Sequence, residues 1–389
     1  MSKDVNARIT KAFHANLDRA LELSHDINRH PELGYEEHRT SAVLIDALLS
    51  LGDFRVDRGA GGLPTAFTAS VGTGELVIGV CAEMDALPEI GHACGHNVIA
   101  GAAVAAAAVA AAAALAPFAD ELGVTVKVFG TPAEEMGTGK RQLLDRGVFD
   151  GTHAAMLVHP ALKDMVTPEI RASRSWRVSF AGIGGHASRP WSALNAGDAV
   201  VVAQTAIGLL RQQLRDGIRV HVMTRGAGAS VNVIPSTATV DCMIRGDSLE
   251  QVDEVWARVE RCFAAGAVAT GTTHEVEGLM SWPEFRHDPD LAELFTLHAQ
   301  ALGRTFPDYD DRMLGSTDMA EVSLRIPALH PVLSFGLAPD QGNHTAAFAA
   351  AAGAADGDAV VRDGGLAMAL TIADAAASVP LRARLLGRS

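Results

Sequence analysis

The chain has 389 residues, 48% of them hydrophobic and 20% charged, which is longer than one hydrophobic core ordinarily serves and points to two domains. That composition excludes a disordered or fibrous protein, and the formal net charge of −14, from 46 acidic against 32 basic residues, argues against a nucleic-acid partner. Four cysteines, Cys81, Cys94, Cys242 and Cys262, are too few for a disulfide framework, and the opening run MSKDVNARITKAFH lacks the apolar core of a secretion signal, so a cytoplasmic location is expected.

The first fifty residues read as helix. Phe13, Leu17 and Leu21 recur at helical spacing, Pro31 interrupts, and Ala42, Val43, Leu44, Leu48 and Leu49 mark a second helix. Short β-rich runs follow at Thr65–Val71 and Leu76–Cys81, the second nearly continuous in apolar residues as a strand inside a sheet would be. The Ala-rich stretch Val98–Ala116 has the length of a membrane span, but alanine contributes little transfer energy and Pro117 ends it. A tightly packed buried helix is the reading adopted, with no membrane partner. Buried strands are expected at Val124–Phe129 and Ala154–Val158, and strands alternating with helices indicate an α/β layer.

The pattern changes near Ile170. Ser175–Ala181 alternates like a half-exposed strand, Ala193–Leu214 reads as helix, Ile218–Met223 and Ala238–Arg245 as strands, Leu249–Ala265 as helix and His274–Leu279 as a last strand. This β-α-β-β-α-β order is that of a ferredoxin-like α+β unit. From about Asp288 the α/β character returns, with a helix at Leu291–Leu302, an apolar run at His330–Phe335 and an Ala-rich C-terminal helix. The expected architecture is therefore a mixed sheet flanked by helices over 1–171 and 288–389, interrupted by a smaller inserted domain over 172–287.

Residues able to do chemistry gather where the strands end, which is where open α/β folds place their sites. Glu83-Met84-Asp85-Ala86-Leu87-Pro88 follows one strand and leads into His92-Ala93-Cys94-Gly95-His96-Asn97. Cys-x-His lets a turn direct a thiolate and an imidazole at one ion, although a free cysteine is more commonly a core residue. Glu134-Glu135 follows another strand in a Gly/Pro-rich loop, where two neighbouring carboxylates either form a solvated turn or diverge, one to a metal and one to water. His159-Pro160 ends a third strand, and Asn343-His344-Thr345 precedes the last helix.

Taken in order, these segments resemble the M20 metallopeptidase and amidohydrolase family over nearly the whole chain. Arg29-His30-Pro31-Glu32-Leu33-Gly34-Tyr35-Glu36-Glu37 is similar to its N-terminal signature. The compact stretch Asp85–Asn97 is most similar to the Cys-containing dipeptidases and aminobenzoyl-glutamate hydrolases, with Met84 standing where that subgroup has an aromatic residue. The resemblance implies Cys94, His96, Glu135, His159 and His344 as ligands of two divalent metal ions per subunit. It implies Glu134 as general base toward metal-activated water, and Asp85 as a carboxylate steadying a ligand. Thiolate softness favours Zn²⁺, while the histidine and carboxylate donors would accept Mn²⁺ or Co²⁺. In the inserted domain it implies His186, within Gly184-Gly185-His186-Ala187-Ser188, as an oxyanion donor given to a partner subunit, and Asn232 as a residue facing substrate. Arg245 would clamp a substrate carboxylate or brace the lid, and the residues alone leave both open.

The expected activity is hydrolysis of the amide bond of a small N-acyl amino acid or dipeptide. The alternative is a catalytically silent metal- or peptide-binding protein on the same fold, which would be expected to have lost Glu134 or a ligand. The apolar stripe Ala199, Val202, Ala206 and Leu210 either covers its own sheet or contributes, with the edge at Ile218–Met223, to a homodimer through the inserted lid domain.

Overall fold

The structure is a computed structural model that describes residues 3–111, 122–309, 312 and 315–388. They form two compact units, one within 1–169 and 285–389 and the other Ile170–Glu284.

The first unit is built on a six-stranded sheet in the order Arg55–Arg58, Phe67–Val71, Val124–Thr131, Leu76–Glu83, Ala154–Met156, Ala328–Leu329. The last four of these run parallel and the first two antiparallel, giving a mixed sheet. Leu76–Glu83 lies between Val124–Thr131 and Ala154–Met156 and is buried at all but one position, which explains its unbroken apolar sequence. Its partner Val124–Thr131 is paired so that Glu83 lies opposite Thr131. That register sets the Asp85 loop and the Glu134–Glu135 loop side by side at the carboxyl edge.

Helices Lys3–Arg29, His96–Ala111 and Ala355–Ala377 pack together, with Pro289–Ala301 against the last of them. Val98–Ala108 is buried without interruption, so the described part of the Ala-rich stretch is a core helix; the remainder of that stretch, 112–116, lies outside the described residues. An all-round apolar helix of small residues suits close contact on every side. Among the described residues no single helix is long and apolar enough to cross a membrane.

The second unit is a four-stranded antiparallel sheet in the order Thr273–Trp282, Ala172–Ala181, Thr237–Gly246, Arg219–Gly226, with helices Ala196–Arg211 and Leu249–Thr270. Ala238, Val240, Cys242 and Ile244 alternate into its core while the residues between them are more exposed, as a sheet covered on one face requires. The chain order is β-α-β-β-α-β and the topology is ferredoxin-like.

Several details differ from the sequence expectation. The buried face of helix Ala196–Arg211 runs through Ala196, Ala199, Val200, Ala203 and Ile207, whereas Val202, Ala206 and Leu210 are only half-buried. The helix lies between its own sheet and helix Leu249–Thr270, which turns the apolar face by about one residue. The run His330–Phe335 is not one strand: Pro331, lacking an N–H, separates Ala328–Leu329 in the main sheet from Val332–Ser334, which pairs with His159–Ala161. The C-terminal helix is three helices, Ala346–Ala352, Ala355–Ala377 and Val379–Leu385, broken at Gly353 and ahead of Pro380.

Candidate active site

Asp85 joins the two loops that the strand register brings together. Its Oδ1 accepts the Glu134 backbone N–H at 3.1 Å and its Oδ2 the Glu135 N–H at 3.0 Å, while Oδ1 also lies 3.1 Å from His96 Nδ1. The carboxylate is buried. Burial alone would raise its pKa, but the His96 ring and the two backbone donors outweigh that and hold it below the usual range. An ionised acceptor at Nδ1 means that His96 carries its proton there and presents the Nε2 lone pair to the site. Burial opposes charge on His96, yet Asp85 and Cys94 together lift its pKa well above the ordinary value.

His96 opens helix His96–Ala111, and Cys94 sits in the turn before it. Gly95 between them has φ +80, and a Cβ there would come within 2.4 Å of Pro160 Cγ, so both conformation and space require glycine. That contact brings Cys94 against His159, whose Nε2 is 3.6 Å from Cys94 Sγ and whose Nδ1–H donates to the Pro160 carbonyl at 2.7 Å. Burial pushes the His159 imidazole down to about 4 and the Cys94 thiol up to about 12. His344 enters from the other end of the chain with φ +68, its N–H donating to the Ala93 carbonyl at 2.8 Å. Its Nε2 lies 3.6 Å from Glu135 Oε2, and Asn343 Nδ2 lies 3.6 Å from Cys94 Sγ.

Single donor atoms of Cys94, His96 and His159 all lie within 4.8 Å of one another, as do those of Cys94, Glu135 and His344, and those of His96, Glu134 and Glu135. The groups share members and so form one continuous donor set. His96 Nε2 and Glu135 Oε1 are buried without a hydrogen-bond partner, a costly arrangement in a protein interior unless a cation satisfies them. Thiolate, imidazole and carboxylate donors suit divalent transition ions. The residues fit the metal centre that the sequence implies.

Sequence reasoning missed the support beneath this set. Glu37, fully buried, accepts the Ala133 N–H at 2.8 Å and so holds the residue before Glu134, itself at φ +55. Burial, then the nearby Glu83 and Asp318, push the Glu134 carboxyl well above its ordinary range. Lys140 is buried between Glu83 and Asp318. Met84 belongs to the hydrophobic core, so its replacement of an aromatic residue concerns packing.

The remaining expected residues lie in the second unit. His186 is exposed in the short strand Gly185–His186, paired with Val233–Ile234, and its Nδ1 accepts the Ser188 N–H at 3.2 Å, leaving the ring proton on Nε2 toward solvent. Asn232 is exposed beside it, accepting the Ser230 hydroxyl at 2.5 Å, and its carbonyl accepts the Ala187 N–H at 2.9 Å. His186 and Ser230 line one groove of about 630 Å³. Arg245 is not part of it. It pairs with Ser173 and Arg219 at the far end of strand Thr237–Gly246, roughly 27 Å from Thr237 at the ~3.4 Å rise of antiparallel strands. That is the end where the chain enters and leaves the unit.

A buried, metal-fitting donor set at the carboxyl edge of a mixed sheet, with an inserted ferredoxin-like unit, defines a metallohydrolase class rather than one enzyme. Residues 79–352 match the model of Peptidase family M20/M25/M40, and the chain belongs to that family. Its activity is that of a metal-dependent amidohydrolase acting on carbon–nitrogen bonds. The chain is 34% identical over 347 residues to the Xaa-Arg dipeptidase of Mus musculus, covering 85% of this chain and 79% of that one. It is 35% identical over 289 residues to a p-aminobenzoyl-glutamate hydrolase of Escherichia coli (strain K12), covering 69% of this chain and 59% of the relative. Among solved structures, the Bacillus subtilis YXEP protein, described as a dinuclear metal binding peptidase from the M20 family, superposes with a TM-score of 0.73 at 22% identity, covering 94% of this chain and 99% of that one.

Proposed function

We propose that the enzyme hydrolyses the amide bond of a dipeptide or N-acyl amino acid at two divalent ions held by Cys94, His96, Glu135, His159 and His344, with Glu134 as general base. The observation that carries this reading is the shared donor set, in which buried His96 Nε2 and Glu135 Oε1 have no partner within the protein. When bound there, the ions would polarise the substrate carbonyl and acidify water. The side chains divide the remaining work. Asp85 fixes the His96 tautomer and the Glu134–Glu135 backbone, so the two adjacent carboxylates are held apart in role. Glu134, buried and held by Ala133 on Glu37, takes the proton from the attacking water and returns it to the leaving nitrogen. Names of relatives support the substrate class: a dipeptidase, an aminobenzoyl-glutamate hydrolase and an N-acetylcysteine deacetylase all release an amine from an amide. The thiolate donor favours Zn²⁺ over Mn²⁺ or Co²⁺.

His186 and Asn232 serve a second copy in a homodimer, supplying a donor to the developing oxyanion. Their position supports this. They stand at the opposite end of the lid sheet from its chain connections, with Trp191 and Val231 exposed nearby. Arg245, at the connected end, is placed to bind a substrate carboxylate in its own subunit.

The test is Glu134→Gln against Glu135→Gln. Glu134→Gln is expected to keep its metal and lose ~10²–10⁴ in kcat, and Glu135→Gln to lose metal. Near-normal turnover by metal-loaded Glu134→Gln would overturn the assignment.

A further inference from the structure

Beside the donor set lies a second cluster that hydrolysis does not use. Glu83, Glu134 and Asp318 each place a carboxylate oxygen within 4.8 Å of the other two, and all three side chains are buried. Taking each such anion out of water costs several kcal/mol, so three at this spacing need protons or a cation among them. Buried carboxylates at this spacing are the groups that ligate divalent ions. Here the cation is part of the chain. Lys140 Nζ donates to Glu83 Oε1 at 2.6 Å and to Asp318 Oδ1 at 2.5 Å, and the Lys140 backbone N–H donates to Asp318 Oδ2 at 2.8 Å. Its side chain is fully buried and starts in the first turn of helix Gly139–Asp145, just after the Glu134–Glu135 loop. The other Glu83 oxygen, Oε2, is buried without a hydrogen-bond partner and lies 3.5 Å from His96 Nε2, so this cage opens directly onto the donor set.

We propose that Lys140 is a built-in cation that fills the carboxylate cage of Glu83, Glu134 and Asp318 and thereby keeps divalent ions out of it. An ammonium differs from a metal ion in two ways that matter here. It is tethered and cannot dissociate, and it attracts Glu134 without occupying a lone pair through coordination. A divalent ion in the cage would bind Glu134 directly and take away its capacity to accept a proton. Lys140 is therefore a positioning residue that sets where the ions sit. Its consequence for catalysis rests on the proposed role of Glu134; occupancy of the cage does not.

The experiment strips metal from wild type, Lys140→Ala and Lys140→Ala/Asp318→Asn, re-equilibrates each with a fixed concentration of free Mn²⁺, and counts bound ions by elemental analysis. Alanine leaves room for an ion and its waters. Lys140→Ala should hold about one Mn²⁺ per chain more than wild type and show a larger rise in melting temperature on adding Mn²⁺. The double variant should return to the wild-type count. Equal counts and equal Mn²⁺ affinities in wild type and folded Lys140→Ala would overturn the proposal. So would Lys140→Ala that stays unfolded at saturating Mn²⁺, because a divalent ion would then be unable to replace the ammonium. A wild type holding other than two ions contradicts the dinuclear reading, while the difference between variants tests the cage by itself.

Discussion

Asp85→Asn isolates the residue on which both halves of the site depend. The carboxylate takes three contacts: His96 Nδ1 at 3.1 Å and the Glu134 N–H at 3.1 Å on Oδ1, and the Glu135 N–H at 3.0 Å on Oδ2. Asparagine is close in shape but keeps a single acceptor atom. If that oxygen stays with His96 and Glu134, the amide NH₂ opposes the Glu135 N–H, two donors face to face. If the amide flips, two donors are lost and nothing holds the His96 proton on Nδ1. At least one hydrogen bond to a charged acceptor disappears in either case, each worth ~1.5–3 kcal/mol. Spread over the ligands it supports, a loss of that size corresponds to the 10–100-fold drop in metal affinity typical when a group orienting a ligand is changed. Competition of the metal-free variant against a chromophoric chelator measures this directly, and kcat at saturating metal separates lost binding from lost chemistry. Wild-type metal affinity in folded Asp85→Asn would refute the hub role.

Two further predictions concern other parts of the molecule. His287 donates from Nε2 to the Pro168 carbonyl at 3.0 Å while its buried Nδ1 has no partner, and burial lowers its pKa to about 4. The unfolded chain therefore binds the proton first, so the stability His287 contributes is present above pH ~6.5 and is lost as pH falls toward 4, by at most ~1.4 kcal/mol per pH unit. His287→Gln, which keeps a donor to Pro168, should flatten the decline of the denaturation midpoint over that range; an unchanged slope would contradict the assignment. For the dimer, mixing Glu134→Gln with His186→Ala should restore activity, because one hybrid site then has both wild-type residues. Failure despite demonstrated subunit exchange would place His186 outside the partner's chemistry.

The main sheet was legible because its strands are buried on both faces and read as unbroken apolar runs, and because the loops bearing Asp85, Cys94, His96, Glu134 and Glu135 follow directly. The structure brings those residues together with His159 and His344. Lys140 was not legible: in Thr138-Gly139-Lys140-Arg141 a lysine reads as solvated, and its partner Asp318 is remote in sequence. A buried ion pair formed across such a separation leaves no periodic trace. Glu37 was quoted only within a signature, since nothing local shows that its carboxylate caps Ala133. The phase of helix Ala196–Arg211 was misjudged because two neighbours, a sheet and a helix, divide its surface. The edge strand Arg55–Arg58 went unread because three of its four residues are polar and exposed.

The central claim is that this donor set holds the metal on which amide hydrolysis depends. Elemental analysis of gel-filtered protein, paired with a dipeptide and N-acyl amino acid hydrolysis assay, tests it most directly. Close to two divalent ions per chain are expected, with hydrolysis lost on chelation, recovered in step with added metal, and both metal content and recovery reduced in Cys94→Ser. Full hydrolytic activity in protein that contains no metal would contradict it.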